Sequence, residues 1–284
     1  MNRDILTYMA FDNDYQESKI VLFGAPFDGT VSFRPGTRFA SAAMRQDSYG
    51  LETYSPYLDM DMEDHGLFDS GDLDLPFGNK VRVLDMIEAH TSQILADGKI
   101  PMMIGGEHLV TLGAFRAVQK KYEDVVILHF DAHADLRADY MDEPLSHATV
   151  IRRCHDIVGD GRIWQFGIRS GTKEEFTFAK DHTVMERYEV ASAPAIATSL
   201  GKTPVYVTID LDVLDPSIFP GTGTPEPGGV TFKQLMEAIH GLKGLNIVGA
   251  DIVELSPQYD QSGVSTAAAC KVWRELTLAC LWGE

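Results

Sequence analysis

No stretch of this chain approaches the ~18 consecutive apolar residues of a membrane-spanning helix. Its amino terminus, Met1-Asn2-Arg3-Asp4-Ile5, leads into acids and lacks the apolar segment of a secretory signal. A cytoplasmic protein without membrane contact is expected. Cysteine is scarce: Cys154, Cys270 and Cys280 are scattered, odd in number and without C-x-x-C spacing. That argues against a disulfide frame or a thiolate zinc site, and reduced, buried thiols are expected. Basic residues are few as well. With 24 Lys+Arg against 42 Asp+Glu, the net charge of -18 disfavours nucleic acid and favours cationic ligands. An acidic surface also serves solubility, so charge alone does not name a partner. Repeats, low-complexity tracts and composition shifts are missing too, and the 284 residues read as a single domain over 1–284.

What is present centres on Val125-Val126-Ile127-Leu128-His129-Phe130-Asp131-Ala132-His133-Ala134-Asp135. The apolar half reads as a buried strand. If the chain stays extended beyond Phe130, Asp131, His133 and Asp135 project to one side, because strand side chains alternate with period two. Two further runs end in the same way: Val205–Ile209 leads into Asp210 and Asp212, and Pro101–Ile104 leads into Gly105-Gly106-Glu107-His108. Ligand-bearing strand ends gathered at one edge are the layout of an open parallel α/β sheet.

Periodicity fills in the remainder. Strands are expected over 19–24, 100–104, 125–130, 163–168, near 183–189, over 204–210 and over 245–250. Helices are expected over 41–49, 81–95, 109–121, 147–158, near 172–180, over 231–242 and over 264–281. The segment 51–78, rich in Asp, Gly and Pro, reads as an irregular excursion. The resulting class is α/β, with a mainly parallel sheet covered on both faces.

Two histidines and four aspartates converging at strand ends would repel one another and resist desolvation unless cations satisfy them. Hard oxygen ligands in the majority, with no thiolate, suit Mn²⁺ or a similar octahedral ion better than tetrahedral zinc. Six ligands exceed what one ion needs if it is also to hold water, so two ions about 3.5–4 Å apart are expected. Four carboxylates against two divalent cations and a hydroxide leave the centre at minus one, which favours a cationic electrophile. His129, inside the apolar run, is expected to pack in the core. His65, His90, His155, His182 and His240 show no carboxylate pattern and default to surface or core.

The motifs Gly105-Gly106-Glu107-His108, Asp131-Ala132-His133-Ala134-Asp135, Asp210-Leu211-Asp212 and Gly221-Thr222-Gly223-Thr224-Pro225 together resemble the ureohydrolase family of arginases and agmatinases, in the right order over nearly the whole chain. The resemblance implies a three-layer α/β/α arginase-type fold and two Mn²⁺ ions per chain. It also implies hydrolysis of a guanidino compound to an amine and urea. It would place His108, Asp131, Asp135 and Asp210 on one ion and His133, Asp131, Asp210 and Asp212 on the other, with Asp131 and Asp210 bridging. Glu254 matches the glutamate that pairs with the guanidinium. Asp135 can also move a proton to the leaving amine, and His147, followed here by Ala148, matches a proton-shuttling histidine. A homotrimer or homohexamer is implied as well.

Substrate choice is read from the loop 136–146, which carries Asp139, Asp142 and Glu143 against Arg137. An acidic rim welcomes an ammonium and repels a carboxylate, so agmatine, hydrolysed to putrescine and urea in polyamine biosynthesis, is the expected substrate. Gly167-Ile168-Arg169-Ser170-Gly171-Thr172 lacks the acid with which arginases hold an α-amino group. Guanidinobutyrase or arginase activity, or a silent regulatory homologue, are the alternatives.

Overall fold

A computed structural model describes residues 6–283, so the reading of Met1–Ile5 lies outside the described residues. In chain order the elements are β1 (Ile20–Gly24), α1 (Ala40–Ser48), β2 (Tyr54–Ser55), β3 (Met60–Asp61), β4 (Leu67–Asp72), α2 (Lys80–Ala96), β5 (Ile100–Ile104), α3 (Thr111–Lys121) and β6 (Val126–Phe130). They continue with α4 (Val150–Val158), β7 (Ile163–Ile168), α5 (Lys173–His182), β8 (Val184–Arg187), α6 (Ala193–Leu200), β9 (Pro204–Asp210), α7 (Phe232–His240), β10 (Asn246–Val253) and α8 (Val264–Cys280).

Eight strands form one sheet in the order β4-β1-β5-β10-β9-β6-β7-β8, and β2 and β3 form a separate pair. Every pairing in the large sheet is parallel. The strands can be apolar almost throughout because helices cover both faces. Alternation sorts their side chains: Ile20, Leu22, Val126, Leu128 and Phe130 join the cluster under α1, α6, α7 and α8. Val21, Phe23 and Ile127 join the one under α2, α3, α4 and α5. This is the expected three-layer α/β/α arrangement. All three cysteines are buried and free.

Two expectations need correction. The segment 51–78 contributes an edge strand, β4, paired with β1. Its sequence, Leu-Phe-Asp-Ser-Gly-Asp, is poor in strand formers, so local propensity gave no signal. Tertiary partners decide it. Arg45, on α1, donates from Nε and Nη2 to the two Asp69 oxygens at 2.7 and 2.9 Å, and Nη1 pairs with Asp72. The short β2–β3 pair is anchored on α8, where Ser55 Oγ donates to Glu275 Oε2 at 2.7 Å. The second correction is α6, which the sequence reading left out.

Arg45 and Asp69 are both buried. Arg45→Met should therefore cost about 3–5 kcal/mol by leaving Asp69 as an unpaired buried carboxylate. Urea unfolding of the two proteins measures it.

Candidate active site

β5, β10, β9 and β6 are adjacent in the sheet, and each ends at the same edge in a functional segment. β5 passes into Gly105–His108, β10 into Glu254, β9 into Asp210 and Asp212, and β6 into Asp131, His133 and Asp135. Gly106 is what lets the loops close up: a Cβ there would stand 1.9 Å from the Phe27 carbonyl oxygen. The flanking amides are used. Glu107 N–H donates to Phe27 O at 2.8 Å, and Glu254 N–H donates to Gly106 O at 3.0 Å.

His108 Nδ1 lies 3.1 Å from one oxygen of Asp131 and of Asp135, and 3.4 Å from Asp210 Oδ2. His133 Nδ1 lies 3.0 Å from Asp212 Oδ2 and 3.5 Å from Asp131 Oδ1. Asp212 N–H donates to Asp210 Oδ1 at 2.9 Å, which draws the sixth residue in. The six candidate ligands thus form two overlapping groups that share Asp131. Although oxygens surround it, buried His108 Nδ1 makes no hydrogen bond of acceptable geometry. An orphaned nitrogen ringed by carboxylates fits a cation placed between them.

Strand continuation delivers only part of this set. The ladder persists as a bridge between His133 and Ser170, but Asp135 turns into the left-handed region at φ 53°. Glu254 does the same at φ 65°. Such backbone costs of order 1–3 kcal/mol for a residue with a Cβ and is held by its surroundings. Two of the predicted functional carboxylates therefore reach the site by strain and not by alternation.

The protonation energetics point the same way. Burial opposes charge on Asp131, yet the surrounding His108, His129 and His133 rings hold its carboxyl well below the usual range. Burial, then the Asp131 charge, pushes Asp135 up to about 7. Burial, then the charges of Asp212 and Asp131, raises Asp210 well above the ordinary value. Burial opposes charge on His108 and His133 as well, but the surrounding carboxylates outweigh it and raise both rings well above the ordinary value. Such opposed shifts within one cluster mark like charges lacking counter-ions.

His129 has more than a packing role. Two residues before Asp131, it lies on the same side of the pleat, and its Nε2 is 2.8 Å from Asp131 Oδ2. Gln165 Nε2 sits 3.1 Å from His129 Nδ1 and also donates to Ala134 O at 2.9 Å, so His129 Nε2–H is left to donate to Asp131. His108 is steadied similarly. Thr208 Oγ1 donates to Asp251 Oδ1 at 2.6 Å and therefore accepts from His108 Nε2, 3.0 Å away, which frees Nδ1 as a ligand. His155 and His182 do have a carboxylate, since both rings contact Asp160 Oδ1, at 2.8 and 2.6 Å.

The cluster opens into a cleft of about 230 Å³, and His147, Glu254, Arg137, Tyr140, Thr224 and Glu175 are among its walls. Glu254 Oε1 accepts from His108 N–H at 2.8 Å, and burial raises its carboxyl well above the ordinary value. Burial lowers His147 to about 4, so its ring is neutral near pH 7. Arg137 faces the cleft, with its guanidinium 4.8 Å above the Tyr140 ring and Nε 3.5 Å from Glu175 Oε2.

The acid expected at the rim is supplied differently from the sequence reading. Asp139, Asp142 and Glu143 are exposed and do not line the cleft, and Glu143 pairs with Lys80. Glu175 takes their place. It is fixed by accepting from Leu136 N–H at 3.0 Å and Thr172 N–H at 2.7 Å. The Thr-x-x-Glu spacing marks Thr172–Glu175 as a helix start. Nothing local shows that the capping carboxylate also faces a cleft built by the 131–148 segment.

A parallel α/β/α sheet with a paired-cation ligand cluster outside its carboxyl edge defines a binuclear metallohydrolase. Comparison narrows the class, since the arginase family model matches residues 18–279. The chain belongs to the arginase family. It is 48% identical to the agmatinase of Bacillus subtilis (strain 168), covering 95% of each chain. It is 34% identical to the guanidinobutyrase of Pseudomonas aeruginosa, covering 89% of this chain and 83% of that one. A solved Clostridium difficile structure, provisionally assigned as an agmatinase, superposes with a TM-score of 0.92 at 56% identity, covering 94% of this chain and 98% of the other. The family carries a binuclear metal centre.

Asp131→Ala should lose both ions, because its two oxygens serve both ligand groups, whereas His108→Asn should weaken one. Elemental analysis should give two metals per chain for the parent, close to none for Asp131→Ala, and about one for His108→Asn at limiting metal.

Proposed function

We propose that this protein is an agmatinase that hydrolyses agmatine to putrescine and urea with two Mn²⁺ ions, acting as one catalytic unit over the whole chain. The observation that carries the substrate assignment is the cleft itself. Its walls include Glu254, beside the ligand cluster, and Glu175, a fixed acid suited to a terminal ammonium. The greater similarity to an agmatinase than to a guanidinobutyrase supports the same reading. Arg137 could favour a carboxylate-bearing tail, but Glu175 lies against it and offsets its charge.

His108, Asp131, Asp135 and Asp210 would hold one ion, and His133, Asp131, Asp210 and Asp212 the other. Oxygen-rich ligands without thiolate suit Mn²⁺. When bound, the ion pair supplies the electrostatic activation of water at neutral pH. The chain's own groups do the rest. Glu254 accepts hydrogen bonds from the guanidinium and fixes its carbon toward the ligand cluster, a charge-assisted pairing that also limits rotation. Asp135 carries the proton to the nitrogen that departs with the butylamine arm, so water adds at carbon, the C–N bond breaks, and urea and putrescine form. His147, neutral and on the cleft wall, exchanges protons with solvent.

The acidic balance argues against a nucleic-acid partner. Among the described residues no helix is long and apolar enough to cross a membrane. A cytoplasmic homotrimer or homohexamer completes the proposal.

Urea release measured side by side for agmatine, arginine and 4-guanidinobutanoate should give the highest kcat/KM for agmatine. A preference for either carboxylate-bearing compound would refute the assignment, and no urea from any of them would indicate a silent homologue. Glu254→Gln should retain two metals per chain yet lose about 2–4 kcal/mol of transition-state stabilisation, read as the drop in kcat/KM.

A further inference from the structure

Away from the cleft, His155, Asp160 and His182 bring two imidazoles and a carboxylate to one point, and nothing in the chemistry assigned above uses them. His155 lies in the last turn of α4, His182 ends α5, and Asp160 sits in the turn between α4 and β7. His155 Nε2 and His182 Nδ1 both reach Asp160 Oδ1, at 2.8 and 2.6 Å. His155 Nδ1 is buried and makes no hydrogen bond, so that ring engages through Nε2 alone. The three converging atoms lie within 4.8 Å of one another, the reach of a single ion.

The group is held from outside. The Phe178 ring stacks on His182 with centroids 4.1 Å apart and planes at 24°, and it meets His155 edge-on at 4.9 Å. One aromatic side chain thus limits the rotation of both imidazoles. Two helices also end here: the His155 carbonyl accepts from Gly159 N–H at 2.8 Å, and the His182 carbonyl from Gly161 N–H at 3.4 Å. The carbonyl ends of helices carry partial negative charge and favour a cation. Arg152, whose guanidinium lies 3.9 Å from the Phe178 centroid, is offset by Asp156, with Oδ1 3.5 Å from its Nε. Gly159 and Gly161, at φ 76° and 70°, make the sharp turn that directs Asp160 back onto the rings. A Cβ at either glycine would meet nothing within 4 Å, so the turn has room to move.

We propose that His155, Asp160 and His182 bind a divalent transition ion, zinc, at a site separate from the catalytic cluster, and that the ion ties together the carboxyl-terminal ends of α4 and α5. Two imidazoles and one carboxylate suit an ion of borderline softness, whereas manganese prefers an oxygen-rich set. Zinc accepts three such ligands with water in the fourth position. At bond lengths of about 2.0–2.2 Å its ligand atoms stand roughly 3.3 Å apart, so Asp160 has to withdraw by less than about 1 Å. The exposed Gly-Asp-Gly turn permits that shift. Glu175, on the cleft wall, lies roughly 10 Å back along α5 from His182, so the ion does not touch substrate.

The test titrates zinc chloride into the manganese-loaded full chain above pH 7, where the rings are neutral. Zinc and manganese per chain, kcat and the thermal unfolding midpoint are followed for the parent, His182→Ala and Asp160→Asn. Asp160→Asn keeps an oxygen that can accept from both rings but removes the charge, so it separates metal binding from hydrogen bonding. The parent should take up about one zinc per chain without losing manganese. Both variants should bind zinc more than about tenfold more weakly, with manganese content and kcat like the parent's. Zinc should raise the unfolding midpoint of the parent and not of the variants. No zinc uptake by the parent, uptake only in exchange for manganese, or equal uptake by both variants would each overturn the proposal and leave a hydrogen-bonded cluster only. Should His182→Ala fail to fold, Asp160→Asn, at an exposed turn, decides alone.

Discussion

Crowded negative charge at the carboxyl edge of the sheet is the constraint on which this structure depends. Asp131, Asp135, Asp210, Asp212 and Glu254 are buried together, with only the two cluster histidines among them as neutral ligands. Without cations such a group is unstable: burial drives Asp135, Asp210 and Glu254 toward protonation, and Asp131 is held ionised by the rings and the His133 N–H around it. The remedy lies in the fold. Four adjacent strands hold the carboxylates rigidly enough that they cannot relax apart, and a pair of divalent ions becomes the least costly way of satisfying them.

Rigidity comes from outside the ligand set. Hydrogen-bonded chains run back from the ligands into the sheet, from His108 through Thr208 to Asp251 and from Asp131 to His129 and Gln165. Each fixes which nitrogen of a histidine is bare. At the cleft wall Thr30 bonds both the buried Glu107 carboxyl and the His147 backbone N–H. The left-handed backbone at Asp135 and Glu254 shows that the surroundings are strong enough to hold unfavourable conformations where the chemistry needs them.

The cleft translates this centre into selectivity. Glu254 and Glu175 both line it, and two acids suit a substrate with two cationic ends. Glu175 does three jobs at once: it caps α5, anchors the 136 amide and balances Arg137. A substitution there would disturb the loop as well as the charge of the cleft wall.

The convergence of the six candidate ligands was legible from sequence because strands advertise themselves by short β-branched runs, and their ends can be read as places where ligands collect. D-x-H-x-D, D-x-D and G-G-E-H each follow such a run, and the strands over 100–104, 163–168 and 204–210 fall where periodicity placed them. What sequence could not express was adjacency. β10 inserts between β5 and β9, so Glu254 meets His108 from 146 residues away. The same limit hid Glu175 and Thr30, whose roles are set by what packs against them. It also hid β4, a strand made by Arg45 on α1 and not by its own residues. Local chemistry fixed which groups could bind metal. Only tertiary packing decided which nitrogen is bare, which acid lines the cleft and which backbone is strained, because those depend on contacts between segments far apart in the chain.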